Sequence, residues 1–217
     1  MEIYISIDGV IRNTIQKLDY HYNEAYLADD VELESEFEYG VIEPIQNDNL
    51  LNSYKFESKE EFEYFLFIEY PIEIFGHAGL SYSTTFTDLH KMIFDNPQHN
   101  FTLVGLDELG KAKPGTLFFL SKNGFLGNNI RFAKSEDIDT LWSTCDVWIT
   151  DNKNIIDKCP EDKSVLKFKT TYNQYFTYSK EISKLTEIEE PWLNSLEKTT
   201  TLTLTESQPN VEPEKTL

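Results

Sequence analysis

Residues 2–7 (Glu-Ile-Tyr-Ile-Ser-Ile) alternate along the chain and are rich in β-branched side chains, which predicts a strand. Asp8-Gly9 breaks the pattern. From residue 10 to 26 apolar positions recur at helical spacing through Ile11, Ile15, Leu18 and Tyr22, predicting a helix. Residues 28–49 are acidic with little periodicity and read as a loop or short hairpin around residues 37–42. Ser58-Lys59-Glu60-Glu61 reads as a capping box, in which Ser58 and Glu61 satisfy each other's free backbone donors. The helix behind it carries Phe62, Phe65, Leu66 and Glu69 and stops before Pro71. A glycine-bearing loop is expected over 77–82 and another helix over 86–94.

Past residue 100 the pattern changes to short buried strands, at 101–104, 130–133, 147–149 and 165–168. Pro114 opens a helix, since its missing N–H is no loss in a first turn, and Asn123-Gly124 closes it. A short helix is expected over 138–142. Strands alternating with helices at this spacing predict an α/β fold, a Rossmann-like parallel sheet with crossover connections. The first strand lies at the extreme N-terminus, so residues 12–98 form an insertion far longer than an ordinary connection. The expected organisation is a core from 1–11 and 99–196, a helical cap from 12–98, and a Thr-rich tail from 197–217, flexible or partner-bound. A last helical turn around Trp192 and Leu196 leads into that tail, whose residues 199–205 alternate. No internal repeat is visible.

The formal charge of −19, from 38 acidic and 19 basic residues, excludes nucleic acid and anionic membrane surfaces as expected partners. It would attract a basic protein partner, while self-repulsion alone also serves solubility; a protein partner or a homo-oligomer is expected. No apolar run reaches the ~20 residues that cross a bilayer, and no basic leader precedes the first strand, so a cytoplasmic location is expected. Cys145 and Cys159 lack any paired spacing and read as reduced packing residues. His21, His77, His90 and His99 show no ligand spacing and receive no role.

In a parallel α/β sheet, ligands gather at the carboxyl ends of the strands. Three clusters follow strands here: Ser6-Ile7-Asp8-Gly9-Val10-Ile11-Arg12-Asn13; Gly105-Leu106-Asp107-Glu108 with Lys111 and Lys113; and Thr150-Asp151-Asn152. On these motifs the chain resembles the haloacid-dehalogenase superfamily of magnesium-dependent phosphohydrolases, especially its 5′-nucleotidase-like branch. That family begins Asp-x-Asp-Gly-[Thr/Val], where this sequence has Ser6-Ile7-Asp8-Gly9-Val10. Its second strand ends in Ser or Thr, a place taken by Gly105. A lysine follows at the head of the next helix, matched by Lys111 or Lys113. Its last motif is often Asp-Asp, matched by Thr150-Asp151.

The resemblance implies a degenerate site. The attacking carboxylate would be Ser6, and a hydroxyl needs an adjacent base to become nucleophilic. Asp8 takes the acid/base position; reading it as the nucleophile instead puts Val10 in that position and loses the Asp-Gly-Val match. Asp8 and Asp151 are the carboxylates left for a metal, with the Val10 carbonyl, against the one or two carboxylates magnesium generally takes. Both aspartates equally suit loops in which they satisfy backbone donors. Lys111 and Lys113 equally suit solvated positions flanking a helix start. The expected function is a non-catalytic structural or assembly subunit. Segments Ile7-Asp-Gly-Val10 and Trp148-Ile-Thr-Asp-Asn152 also resemble uncharacterised proteins of large tailed phages, implying a virion component. Two alternatives stand beside it: a weak magnesium-dependent phosphohydrolase on a small phosphorylated substrate, and a module that binds a phosphorylated ligand without turning it over. No cofactor is expected, or Mg2+ if activity or metal binding persists.

Overall fold

The computed structural model describes residues 1–188; the turn expected around Trp192 and the Thr-rich tail lie outside them. Strand β1 (Glu2–Ser6) is followed by a two-residue strand β2 (Arg12–Asn13) and helix α1 (Thr14–Tyr22). Helices α2 (Leu50–Ser53) and α3 (Lys59–Tyr64) come next, then β3 (Gly79–Leu80) and α4 (Thr85–Asp95). The rest alternates: β4 (Asn100–Leu106), α5 (Lys113–Lys122), β5 (Ile130–Ala133), α6 (Ile138–Ser143), β6 (Val147–Thr150), α7 (Lys153–Asp157), β7 (Ser164–Phe168) and β8 (Glu181–Ile182).

Six strands form one parallel sheet in the order β5-β4-β1-β6-β7-β8. β1 sits inside it, with Ser6 opposite Val104 on one side and Ile5 opposite Ile149 on the other. A strand buried on both faces needs apolar residues at successive positions, and Ile3, Tyr4 and Ile5 are all buried. All five strands expected from the pattern form, and β8 is an addition. One face of the sheet carries Tyr4, Trp142, Trp148, Leu141 and Ile155 as a core cluster. The insertion has its own, built from Tyr22, Tyr54, Phe56, Phe65 and Phe75.

Three local expectations differ. The first helix starts at Thr14 rather than residue 10, because residues 7–12 form a tight turn instead. Ile11 and Arg12 N–H both bond the Ile7 carbonyl, Gly9 N–H bonds the Arg12 carbonyl, and Gly9 sits at φ +79°. Asn13 then caps α1 by accepting from Gln16 N–H. The capping box is only half formed. Ser58 Oγ accepts from Glu61 N–H at 3.1 Å, whereas the Glu61 carboxylate turns to Glu57 N–H and to the hydroxyls of Tyr26 and Tyr39. Finally, β2 and β3 pair antiparallel and fasten both ends of the helical insertion. Beyond that ribbon α4 packs through Phe86 against Phe119 of α5, on the core, although the sequence boundary at 98 counts it with the insertion.

Candidate functional site

The chain leaves β1 for β4 on one side and returns to β6 on the other, so the carboxyl end of β1 is the point where strand order reverses. In such sheets that is where ligands bind. An open cleft of ≈ 770 Å³ lies there, lined from the core by Ser6, Asp8, Gly9, Asp151 and Lys167 and from the insertion by Asn47, Phe67 and Phe75. The fold thus gathers Ser6, Asp8 and Asp151. Gly105, Lys111, Lys113, Thr150 and Val10 are not among the residues that line it.

Ser6 is buried, and its hydroxyl is used twice. It donates to Thr150 Oγ1 at 2.8 Å and accepts from the indole Nε1 of Trp148 at 3.1 Å. Thr150 itself accepts from Asn152 N–H, so its contribution is to order this corner beneath the cleft. Asp8 is held by Arg12 in a two-point contact, Nε to Oδ1 at 2.7 Å and Nη2 to Oδ2 at 3.1 Å. Arg12 is wholly buried; it also donates to the Phe75 carbonyl and to Thr116 Oγ1, and its guanidinium lies between the rings of Phe75 and Phe119. The two-point geometry is the strong form of a guanidinium–carboxylate bond. It ties the loop after β1 to the insertion and to α5 together.

Asp151 follows β6 and packs against the bare Cα of Gly9, where a Cβ would fall 2.0 Å from its carboxylate. Asn47 reaches over from the insertion and donates to Asp151 Oδ2 at 2.7 Å and to its carbonyl at 3.0 Å. Burial pushes the Asp151 carboxyl up to about 7; the Asn47 bond opposes the rise and the charge of Asp8 adds to it. Tyr175 hydroxyl completes the latch by donating to Asn47 Oδ1.

The β4 corner departs from the sequence alignment. A Cβ on Gly105 would face Ile7 and Phe132, and Gly105 pairs with Phe132 in the sheet. Val104 and Leu106, one residue either side, line the cleft. Side chains alternate faces along a strand, so a hydroxyl at 105 points away from Ser6, and Leu106 fills the side that faces it. Asp107 accepts backbone N–H bonds from Lys111, Ala112 and Lys113 at 2.9, 3.1 and 3.0 Å. It therefore caps α5, whose own N-cap, Ala112, has no side chain for the task. Replacing Asp107 by alanine leaves three amide donors in a largely buried corner. We expect a loss of about 2 kcal/mol in urea denaturation, the upper end for a lost cap. The Lys113 ammonium lies over the Phe132 ring at 5.4 Å. Two lysines line the cleft, Lys167 and the exposed Lys169; Lys167 is buried, bonds the Phe176 carbonyl and Glu181, and lies over the Phe176 ring. Its partner Glu181 is held below the usual carboxylate range, first by that ammonium.

Magnesium prefers hard oxygens in near-octahedral array, generally with one or two carboxylates. Here Asp8 gives both oxygens to Arg12, Asp151 is buried and bonded by Asn47, and Ser6 offers a committed hydroxyl. Among the described residues no group of three or more His, Cys, Asp or Glu is placed to hold a metal ion. The donors expected to hold magnesium, Asp8 and Asp151, therefore do not fit it.

No family model matches the sequence, and no curated protein matches it. Among solved structures, the chain is similar to the crystal structure of an HAD hydrolase, family IA, variant 3, from Entamoeba histolytica HM-1:IMSS. The identity is 15%, the TM-score 0.53, and the match covers 91% of this chain and 100% of that one. The fold is accordingly that of the haloacid-dehalogenase-type hydrolases, a six-stranded Rossmann-like sheet with helices. Among the described residues no helix is long and apolar enough to cross a membrane.

Asn47 and Lys167 did not emerge from the sequence, whereas Arg12 and Asp107 stood in the clusters after β1 and β4 without a role. Arg12 had a local signal, a cation four residues after Asp8. Asn47 had none, because it lies 104 positions from the residue it holds.

Proposed function

We propose that this chain is a non-catalytic protein on a haloacid-dehalogenase-type fold, acting as a structural or assembly subunit. The observation that carries the reading is the state of Ser6. A serine attacks only when a base removes its proton. Here the hydroxyl donates to Thr150, which is no base, and the Trp148 N–H occupies a lone pair that an activated oxygen would need. Asp8, in the position matching the acid/base, supports the reading through its engagement with Arg12. The acidity of the chain suits a protein partner. The two segments that resemble phage proteins support a virion component as the particular place.

The test is phosphate release from para-nitrophenyl phosphate and a nucleotide panel with magnesium present. Wild type is expected to be silent, and wild-type turnover that Asp8→Asn abolishes would overturn the reading. Ser6→Asp alone is expected to stay silent as well, since Arg12 still holds Asp8.

The open cleft favours one second reading, a module that holds a small phosphorylated ligand. Its volume lies in the range of ordinary ligand sites, and Lys169 at its wall is an exposed cation. A rise in melting temperature with such ligands, and none with their dephosphorylated forms, would favour it over the first.

A further inference from the structure

Strand β5 is the last strand on its side of the sheet, and among the described residues no strand lies beyond it. Its inner backbone groups are used: Leu103 N–H bonds the Asn129 carbonyl and Asp107 N–H bonds the Ala133 carbonyl. In a parallel ladder the residues of one strand alternate in the side to which they bond. The N–H and C=O groups of Ile130 and Phe132 therefore face outward and meet no backbone partner among the described residues, which makes them a template for another strand. Just before β5 stands Leu126, 81% exposed, and Leu126 N–H bonds the His90 ring. One helical turn beyond His90 is Phe94, 83% exposed. Among the described residues the two most exposed large apolar side chains thus lie next to the same histidine near the edge.

The stretch of sequence that leads into and through β5 is basic, although Lys134 already pairs with Glu136 just beyond it. Residues 109–134 contain Lys111, Lys113, Lys122, Arg131 and Lys134 and no acidic residue, in a protein of net charge −19. Elsewhere the acidic stretch 28–49, which has little periodicity as a whole, contains one short alternating run, broken at Ser35. Val31, Leu33 and Phe37 alternate with Glu32, Glu34, Glu36 and Glu38 over eight residues. Period-2 alternation of this kind is a strand pattern, yet residues 31–38 form neither helix nor strand, and Leu33 is 41% exposed. Residues 29–38 carry six carboxylates and no basic residue.

From these features we infer that residues 31–38 of one copy add as a strand to the β5 edge of a second copy. The backbone groups of Ile130 and Phe132 supply the register. Leu126 and Phe94 receive apolar side chains of the incoming segment, and the basic 109–134 region neutralises its glutamates. Strand addition of this type takes affinity from main-chain bonds and specificity from alternate side chains. The donor and acceptor are different surfaces, so the contact is head-to-tail and builds rings or open chains rather than closed pairs. The inference deepens the assembly reading by naming the partner. It fails separately from that reading, because the phosphatase assay does not depend on association.

Sedimentation velocity on the full chain tests it. Wild type is expected to form species larger than a dimer as concentration rises. Association should weaken at least tenfold in about 1 M salt, where the Debye length falls to about 3 Å. Ile130→Pro removes one outward N–H without touching the β4 ladder, and Leu33→Asp spoils the donor segment; each alone should be monomeric with an unchanged far-UV spectrum. Mixed together they should form a one-to-one complex and nothing longer, since one keeps the segment and the other the edge. A wild type monomeric at every concentration would overturn the inference. So would self-association that Ile130→Pro and Leu33→Asp both leave intact.

Discussion

Arg12→Ala is expected to destabilise the protein by about 4 kcal/mol, because it removes the bond between three parts of the molecule and leaves a void where they meet. The guanidinium is wholly buried, with Asp8, the Phe75 carbonyl and Thr116 as hydrogen-bond partners and two aromatic rings against its faces. Asp8→Asn should cost less, about 3 kcal/mol. It leaves a buried cation without its counter-charge, though an amide oxygen still accepts one bond and Asp8 is one-third exposed. The double substitution Asp8→Asn/Arg12→Met separates the ion pair from the packing. Methionine fills much of the arginine's volume with no charge, so against its own two singles, Asp8→Asn and Arg12→Met, the double variant should lose well under the sum of their losses. Residues in one network couple in this way. Urea midpoints at constant slope measure all four variants. Equal and additive losses would mean that Arg12 acts through packing alone and that Asp8 is not its partner in solution.

The same pair explains what the sequence conveyed and what it concealed. β1, β4, β5 and β6 were legible as short apolar runs with Gly, Asn or Asp at one end or both, and β7 as a short apolar run flanked by lysines. Helix α5 was legible at both ends, through Pro114 at its start and Gly124, at φ +72°, after its close. The start of α1 was not, because Ile11 fits a helical period just as well as a tight turn. Periodicity cannot sense that Arg12 has a buried carboxylate to reach. Glu61 was misassigned for a similar reason: a local capping pattern competes with two tyrosine hydroxyls that arrive from Tyr26 and Tyr39.

At the site, motif matching located the right strand ends but not the directions of side chains. Ser6, Asp8 and Asp151 do converge on the cleft. Gly105 occupies the aligned position, yet the pleat turns that position toward Ile7 and Phe132, and Leu106 takes the side that counts. Lys111 and Lys113 are near the expected helix start, where their backbone N–H groups serve Asp107. Alignment by spacing carries no information on which face a residue presents. Contacts from the insertion, above all Asn47 on Asp151, are invisible to it altogether.

Burial of Asp151 at that contact gives the fold a pH dependence, which the Asn47 bond moderates. The Asp151 carboxyl rises from 3.8 to about 7 on folding, chiefly through burial, with Asp8 adding to the rise and Asn47 opposing it. Between those values the unfolded chain has released a proton that the native state keeps. The native state binds more protons there, so stability falls as pH rises from about 4 to about 7 and is level above that. At about 1.36 kcal/mol per unit the shift corresponds to roughly 4 kcal/mol between the two ends. Other carboxylates titrate in part of this window, and a comparison with Asp151→Asn isolates the one that matters. The amide keeps an oxygen for Asn47 to bond and has no charge to bury. We expect the variant to match wild type near pH 4 and to exceed it progressively toward pH 8. Asn47→Ala removes the bond that favours the carboxylate, so the wild-type slope should extend to higher pH in that variant. Melting temperatures collected from pH 4 to pH 8 distinguish these profiles. Parallel curves for wild type and Asp151→Asn would place the Asp151 carboxyl in water, and with it would go the contact between the insertion and the end of β6.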